Sequence, residues 1–83
     1  MNEEAIYDAL NGIFREVFDD DTIVLTPETT AQDIIGWDST AMITLVVATE
    51  MRIGIRFRTA EIEALESVGQ FAELIASKCK AVA

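Results

Sequence analysis

Hydrophobic residues recur at spacings of three and four through Ile6, Leu10, Ile13, Phe14, Val17 and Phe18, while Glu3, Glu4, Asp8 and Glu16 fill the remaining surface of the same segment. A period near 3.6 predicts an amphipathic helix over residues 3–18, with acids at its start, where the helix dipole is positive. Asp19-Asp20-Asp21 ends it. A long connection then runs to Asp38. Within it Thr26-Pro27-Glu28 reads as a turn of helix with proline at its first position, and Ile23, Leu25, Ile34 and Ile35 are expected to pin the segment to the core.

From Thr40 to Ile53 nine of fourteen residues are apolar and Glu50 and Arg52 carry the charge, which is more hydrophobicity than one core-facing stripe requires. Projected at 3.6 residues per turn, the segment has two faces. Met42, Leu45, Val46, Thr49 and Ile53 share the natural core face; Thr40, Ile43, Thr44, Val47 and Met51 share the nearly opposite one. Leaving that second face in water costs up to ~3 kcal/mol per large residue, so a partner protein or an apolar group is expected to cover it.

After Gly54, the alternation Ile55-Arg56-Phe57-Arg58 has no second strand to pair with and is expected to be an extended connector with Ile55 and Phe57 facing inward. Thr59 is expected to cap a two-turn helix anchored by Ile62 and Leu65. Ser67-Val68-Gly69-Gln70 has capping-box spacing, and Val68, Phe71, Ala72, Ile75 and Cys79 form one stripe that ends beside Lys78 and Lys80. These elements predict an all-α fold: a small three- or four-helix bundle over residues 1–83, with a long first loop and a short third helix. Its expected core is Ile6, Leu10, Phe14, Leu45, Val46, Phe57, Leu65, Phe71 and Ile75.

The net charge of −9 disfavours nucleic acid or an anionic membrane as a partner. Residues 1–50 hold eleven acids and one base, whereas residues 51–83 hold four acids and five bases. There is no run long enough to span a membrane, and the start lacks the basic and apolar regions of a secretory signal, so a cytoplasmic location is expected. With no histidine and one cysteine, the usual zinc sites and Ser-His or Cys-His pairs are excluded. Cys79 reads as a small buried hydrophobe. Asp19 and Asp21 invite a calcium-loop reading, but Val24 stands where that loop needs glycine and Thr30 where it needs a bidentate glutamate; no metal site is expected.

Ser39 carries the candidate chemistry. It opens the second helix directly after Asp38, and both side chains can cap the first turn. If Asp38 takes the cap, the Ser39 hydroxyl is left for chemistry. On local residues alone, a plain helix cap is the favoured reading.

Gly36-Trp37-Asp38-Ser39, then Leu45, Val46, Ala48, Glu50 and Gly54-Ile55, and finally Ser67-Val68-Gly69-Gln70, resemble the acyl carrier protein family in register, length and helix order along nearly the whole chain. In that family the serine of an Asp-Ser-Leu motif receives 4′-phosphopantetheine from coenzyme A, and the terminal thiol holds acyl groups as thioesters. The resemblance implies that Ser39 is the attachment site, with Asp38 flanking it. It also implies a carrier rather than an enzyme, without catalytic residues of its own. A separate magnesium-dependent phosphopantetheinyl transferase deprotonates the serine and directs its attack on the β-phosphate, which agrees with the missing histidine. Acyl-loading and acyl-transferring enzymes are the other implied partners, and the chain is expected to be a monomer.

Two departures from the family pattern stand out. Thr40 replaces the usual leucine, and Ala41, Thr44, Met51 and Arg52 occupy positions that are often acidic in fatty-acid carriers. Asp38 and Glu50 remain as the acids near this helix, so steering by charge is expected to be weaker and apolar fit stronger. The expected partner face is Thr40, Ile43, Thr44, Val47, Glu50 and Met51. These departures point to a discrete carrier in a specialised polyketide-like, modified fatty-acid or lipid pathway. Housekeeping fatty-acid synthesis is the alternative within the family, and a small helical adaptor without a prosthetic group is the alternative outside it. Trp37 is open to two placements, closed over the core or exposed beside the prosthetic group.

Overall fold

The computed structural model describes residues 2–82, with the backbone alone for 80–82. Four helices follow in order: α1 Glu3–Phe18, α2 Ser39–Ile53, α3 Thr59–Glu63 and α4 Val68–Val82. The first helix packs against both α2 and α4.

Local chemistry sets the ends of α1. Asn2 caps its start, its Oδ1 accepting the Ala5 N–H at 2.8 Å. Asp19 closes it in the left-handed conformation with φ +51°, and the next residue donates its N–H to the Arg15 carbonyl at 3.0 Å. Ile6, Leu10, Ile13 and Phe14 are buried, as the periodicity predicts, and Val17 and Phe18 pack against them from partly buried positions. The core is completed by Leu25, Leu45, Ile55, Val68, Phe71, Ala72 and Ile75. Phe57, Leu65 and Cys79 are partly buried against it. Val46, expected in the core, is half-buried instead; it lines a hollow between α2 and α3 with Phe57 and Ile62.

The first loop is held by hydrogen bonds that no hydrophobic pattern reveals. Asn11 Oδ1 accepts the Leu25 N–H and Arg15 Nε donates to the Ile23 carbonyl, both at 2.8 Å, which ties the loop to α1. On its other side, Val68 and Gly69 donate their N–H groups to the carbonyls of Thr29 and Pro27 at 2.8 and 3.0 Å. Loop carbonyls thereby satisfy two donors that the start of α4 leaves without partners in its own helix. Thr26-Pro27-Glu28 makes a single turn closed by Thr29 N–H to the Thr26 carbonyl, not a helix. Leu25 is buried and Ile23 and Ile34 are partly buried, but Ile35 points into solvent, 99% exposed, and does not pin the loop.

The expected capping at α3 and α4 is modified. Thr59 is the first residue of α3, and the cap position falls on Arg58, whose N–H donates to the Glu61 carboxylate at 2.8 Å. At α4 the Ser67 hydroxyl accepts the Gln70 N–H at 3.3 Å, but the Gln70 amide reaches the N–H of Glu66 instead of that of Ser67. The short α3 is fastened by an ion pair of 2.8 Å from Glu61 to Lys78 on α4, and the connector before it by Phe57 tilted against Phe71. The Lys78 ammonium and, next, the Arg58 N–H hold the Glu61 carboxyl below its ordinary range.

Gly69 shows how closely loop and helix meet. A Cβ there would lie 2.8 Å from the Pro27 carbonyl oxygen and 3.1 Å from the Pro27 Cβ. Gly69→Ala gains up to ~1 kcal/mol of helix propensity, yet it must push a backbone carbonyl off α4. A net loss of about 1–3 kcal/mol is expected, read as a lower urea midpoint with an unchanged m value. A gain in stability would show that the loop does not rest on this helix.

Candidate functional site

Asp38 takes the cap of α2. Its backbone is extended, its Oδ1 accepts the Ala41 N–H at 2.9 Å, and its carbonyl accepts the Met42 N–H at 2.9 Å. Ser39 is therefore the first helical residue, exposed, with its hydroxyl in no hydrogen bond among the described residues.

Loop and core present this corner together. Gly36 adopts φ +91°, a conformation strained for any residue with a Cβ, and turns the chain into Trp37. The Trp37 ring is half-buried, edge-on to Phe14 with centroids 5.1 Å apart and an interplanar angle of 84°. Its indole N–H points to the Met42 sulfur at 3.4 Å. Of the two placements left open by the sequence the ring takes the first, closed over the core, and from there it also lines the cleft beside Ser39. A cleft of about 340 Å³ opens beside the serine. Trp37, Met42, Ile62, Leu65 and Phe71 form its apolar walls, and Asp38, Ser39, Glu66 and Ser67 are among its polar lining. Ile62 and Leu65 were legible as apolar anchors; that they face Ser39 was not.

On α2 the two faces separate as projected. Leu45 and Thr49 are buried, the Thr49 hydroxyl donating to the Leu45 carbonyl at 2.7 Å, and Met42, Val46 and Ile53 are partly buried. Thr40, Ile43, Thr44, Val47 and Met51 are exposed, with Ile43 at 66%, Val47 at 48% and Met51 at 81%. Glu50 is placed differently from these five. It is half-buried, and its Oε2 accepts the Phe57 N–H at 2.8 Å, so its charge ties down the connector after α2.

The loop adds two large apolar side chains that the pattern assigned to the interior or passed over, Ile35 and Val24, the latter 71% exposed. Asp20, in the acidic run, is engaged locally: the Thr22 hydroxyl at 2.6 Å and then its N–H hold the carboxyl below its ordinary range. No helix among the described residues is long and apolar enough to cross a membrane.

The family model described as "Phosphopantetheine attachment site" matches residues 8–75, and an acyl carrier protein of Acidothermus cellulolyticus is 32% identical over 77 residues, covering 93% of this chain and 92% of its own. The chain belongs to the acyl carrier protein family. Its fold is similar to the solution structure of the holo acyl carrier protein of Geobacter metallireducens, with a TM-score of 0.85 and 47% identity over 90% of this chain and 86% of that one. This carrier is accordingly a substrate of other enzymes rather than an enzyme, and its cofactor is covalent phosphopantetheine. Members of the family work with phosphopantetheinyl transferases and with enzymes that handle acyl groups.

Proposed function

We propose that Ser39 bears the 4′-phosphopantetheine arm. The observation that carries this reading is the division of labour at the α2 start: Asp38 supplies the cap, and the Ser39 hydroxyl is exposed and unbonded among the described residues. The site fits the group. The hydroxyl is accessible to a transferase, the Ala41 N–H of the first turn is already satisfied by Asp38, and the apolar cleft beside Ser39 can shelter the first atoms of an attached chain. When bound, the arm supplies a thiol that holds acyl groups as thioesters. Asp38 orients the serine through the cap, and Trp37 and Met42 keep the cleft wall in place. Intact mass after incubation with coenzyme A, magnesium and a broad-specificity phosphopantetheinyl transferase tests the assignment. One phosphopantetheine adduct is expected; a chain left unmodified by several transferases favours the adaptor.

The exposed face of α2 supports a specialised pathway, making a polyketide-like, modified fatty-acid or lipid product. The first turn of α2 holds no acid, and Ile43, Val47 and Met51 form its exposed centre. Housekeeping fatty-acid synthesis is the second reading, favoured by the net charge of −9. Replacing Ile43 or Val47 by Ser is expected to change stability by less than ~0.5 kcal/mol, because neither is in the core. The same changes should lower kcat/KM of an enzyme that loads the wild-type carrier by about tenfold. Unchanged loading would remove this face from the docking surface.

A further inference from the structure

Resting on the reading of α2 as the docking helix, we propose that the enzyme surface it meets has an apolar centre flanked by carboxylates on the side that faces the connector after α2, held by Arg56 and Arg58. The connector from Ile55 to Arg58 alternates. Ile55 is buried and Phe57 partly buried, while Arg56 and Arg58 are exposed. Each arginine borders the apolar face: Arg56 shares a surface hollow with Val47 and Met51, and Arg58 shares another with Ile43 and Val47. Val47 belongs to both, so the two guanidinium groups rim one continuous patch.

The nearby acids offset this rim only in part. Glu50 lines the same hollow as Arg56 and keeps its charge while accepting the Phe57 N–H, whereas Glu61 is paired with Lys78 at 2.8 Å. Among the described residues neither Arg56 nor Arg58 has a carboxylate within ion-pair distance. At the Ser39 end of the face, Asp38 and Glu66 border the cleft beside the serine. With a rise of 1.5 Å per residue, Ser39 and Met51 are ~18 Å apart along α2. The face is therefore acidic at the serine and bordered by arginine along its connector side, with Arg58 beside Ile43 and Val47 and Arg56 beside Val47 and Met51. A partner whose carboxylates lie along that side docks with its active-site opening over Ser39, and one turned end for end loses the match to both arginines. The local sign is opposite to the net charge of −9, which by itself would favour basic partners throughout.

Two synthetic amphipathic helical peptides decide the matter. They share one leucine stripe and carry either glutamates or lysines along its flanks, and each is titrated into the isotopically labelled full chain while amide shifts are followed by NMR. The glutamate peptide is expected to move the amides of Val47, Met51, Arg56 and Arg58 and to bind about fivefold more tightly than the lysine peptide, a preference that disappears at ~0.5 M salt. It should also disappear in the Arg56→Gln, Arg58→Gln double variant, whose own spectrum shows whether it is folded. Equal or tighter binding of the lysine peptide at these amides, or a preference that survives in the folded double variant, overturns the charge assignment. If neither peptide moves the α2 amides, the docking reading fails with it. Phosphopantetheine loading of the same sample reports separately on Ser39.

Discussion

Ser39→Ala is expected to abolish phosphopantetheine loading outright while leaving the fold intact. The sequence allowed Ser39 to be the cap of α2, and loss of a serine cap would cost ~0.5–2 kcal/mol. The structure assigns the cap to Asp38, whose carboxylate accepts the Ala41 N–H. Ser39 is exposed and helical, so alanine there removes a hydroxyl without a partner and slightly improves helix propensity. The melting temperature should move by less than about 4 °C, and upward if at all. Asp38→Ala is the contrasting variant: it leaves the hydroxyl in place, loses the cap, and is expected to lower the melting temperature by about 4–8 °C. Intact mass and thermal melts of both variants check the division. Loading of Ser39→Ala at the wild-type level would move the attachment site elsewhere; strong destabilisation of Ser39→Ala would return the cap to serine.

Phe14→Ala should cause the largest loss of stability, about 3–5 kcal/mol. The ring is fully buried near the middle of the core and touches two other aromatics, Phe18 at 5.9 Å and Trp37 at 5.1 Å between centroids. A domain of this size has roughly 4–12 kcal/mol in total, so the variant forfeits about a quarter of it or more. The consequence reaches the site, because Trp37 stands on Phe14 and forms one wall of the cleft beside Ser39. Urea unfolding followed by circular dichroism gives the stability change, and the emission of Trp37, the sole tryptophan, should shift to longer wavelength as its ring becomes more hydrated. Phe14→Leu, which keeps much of the volume, should lose markedly less. A loss below about 1 kcal/mol in Phe14→Ala would contradict this packing.

Much of the candidate site was legible because it depends on local rules. Asp38 and Ser39 stand directly before an uninterrupted helical stretch, and capping preferences restrict what two such residues can do there. The double-faced projection of α2 was likewise a matter of 3.6-residue geometry, and exposure of Ile43, Val47 and Met51 follows it. Glu50 marks the limit of that reasoning. Its helical angle places it near the exposed face, but a side chain long enough to reach the connector bonds the Phe57 N–H instead. Ile35 failed for a related reason: hydrophobicity states a preference for burial, and in a loop without a periodic backbone nothing local says which way a side chain points.

The sequence by itself determined the four helices, their buried stripes, the extended connector and the serine at the start of α2. All of these follow from residue periodicity and from side chains acting on backbone within a turn of themselves. Tertiary structure alone decided how the first loop is held, through Asn11, Arg15 and the N–H groups at the start of α4. It also brought Ile62, Leu65 and Phe71 opposite Ser39 to make a cleft, and set Arg56 and Arg58 beside the apolar face of α2. Those contacts join residues on different elements of the chain, and their geometry exists once the helices have packed against one another.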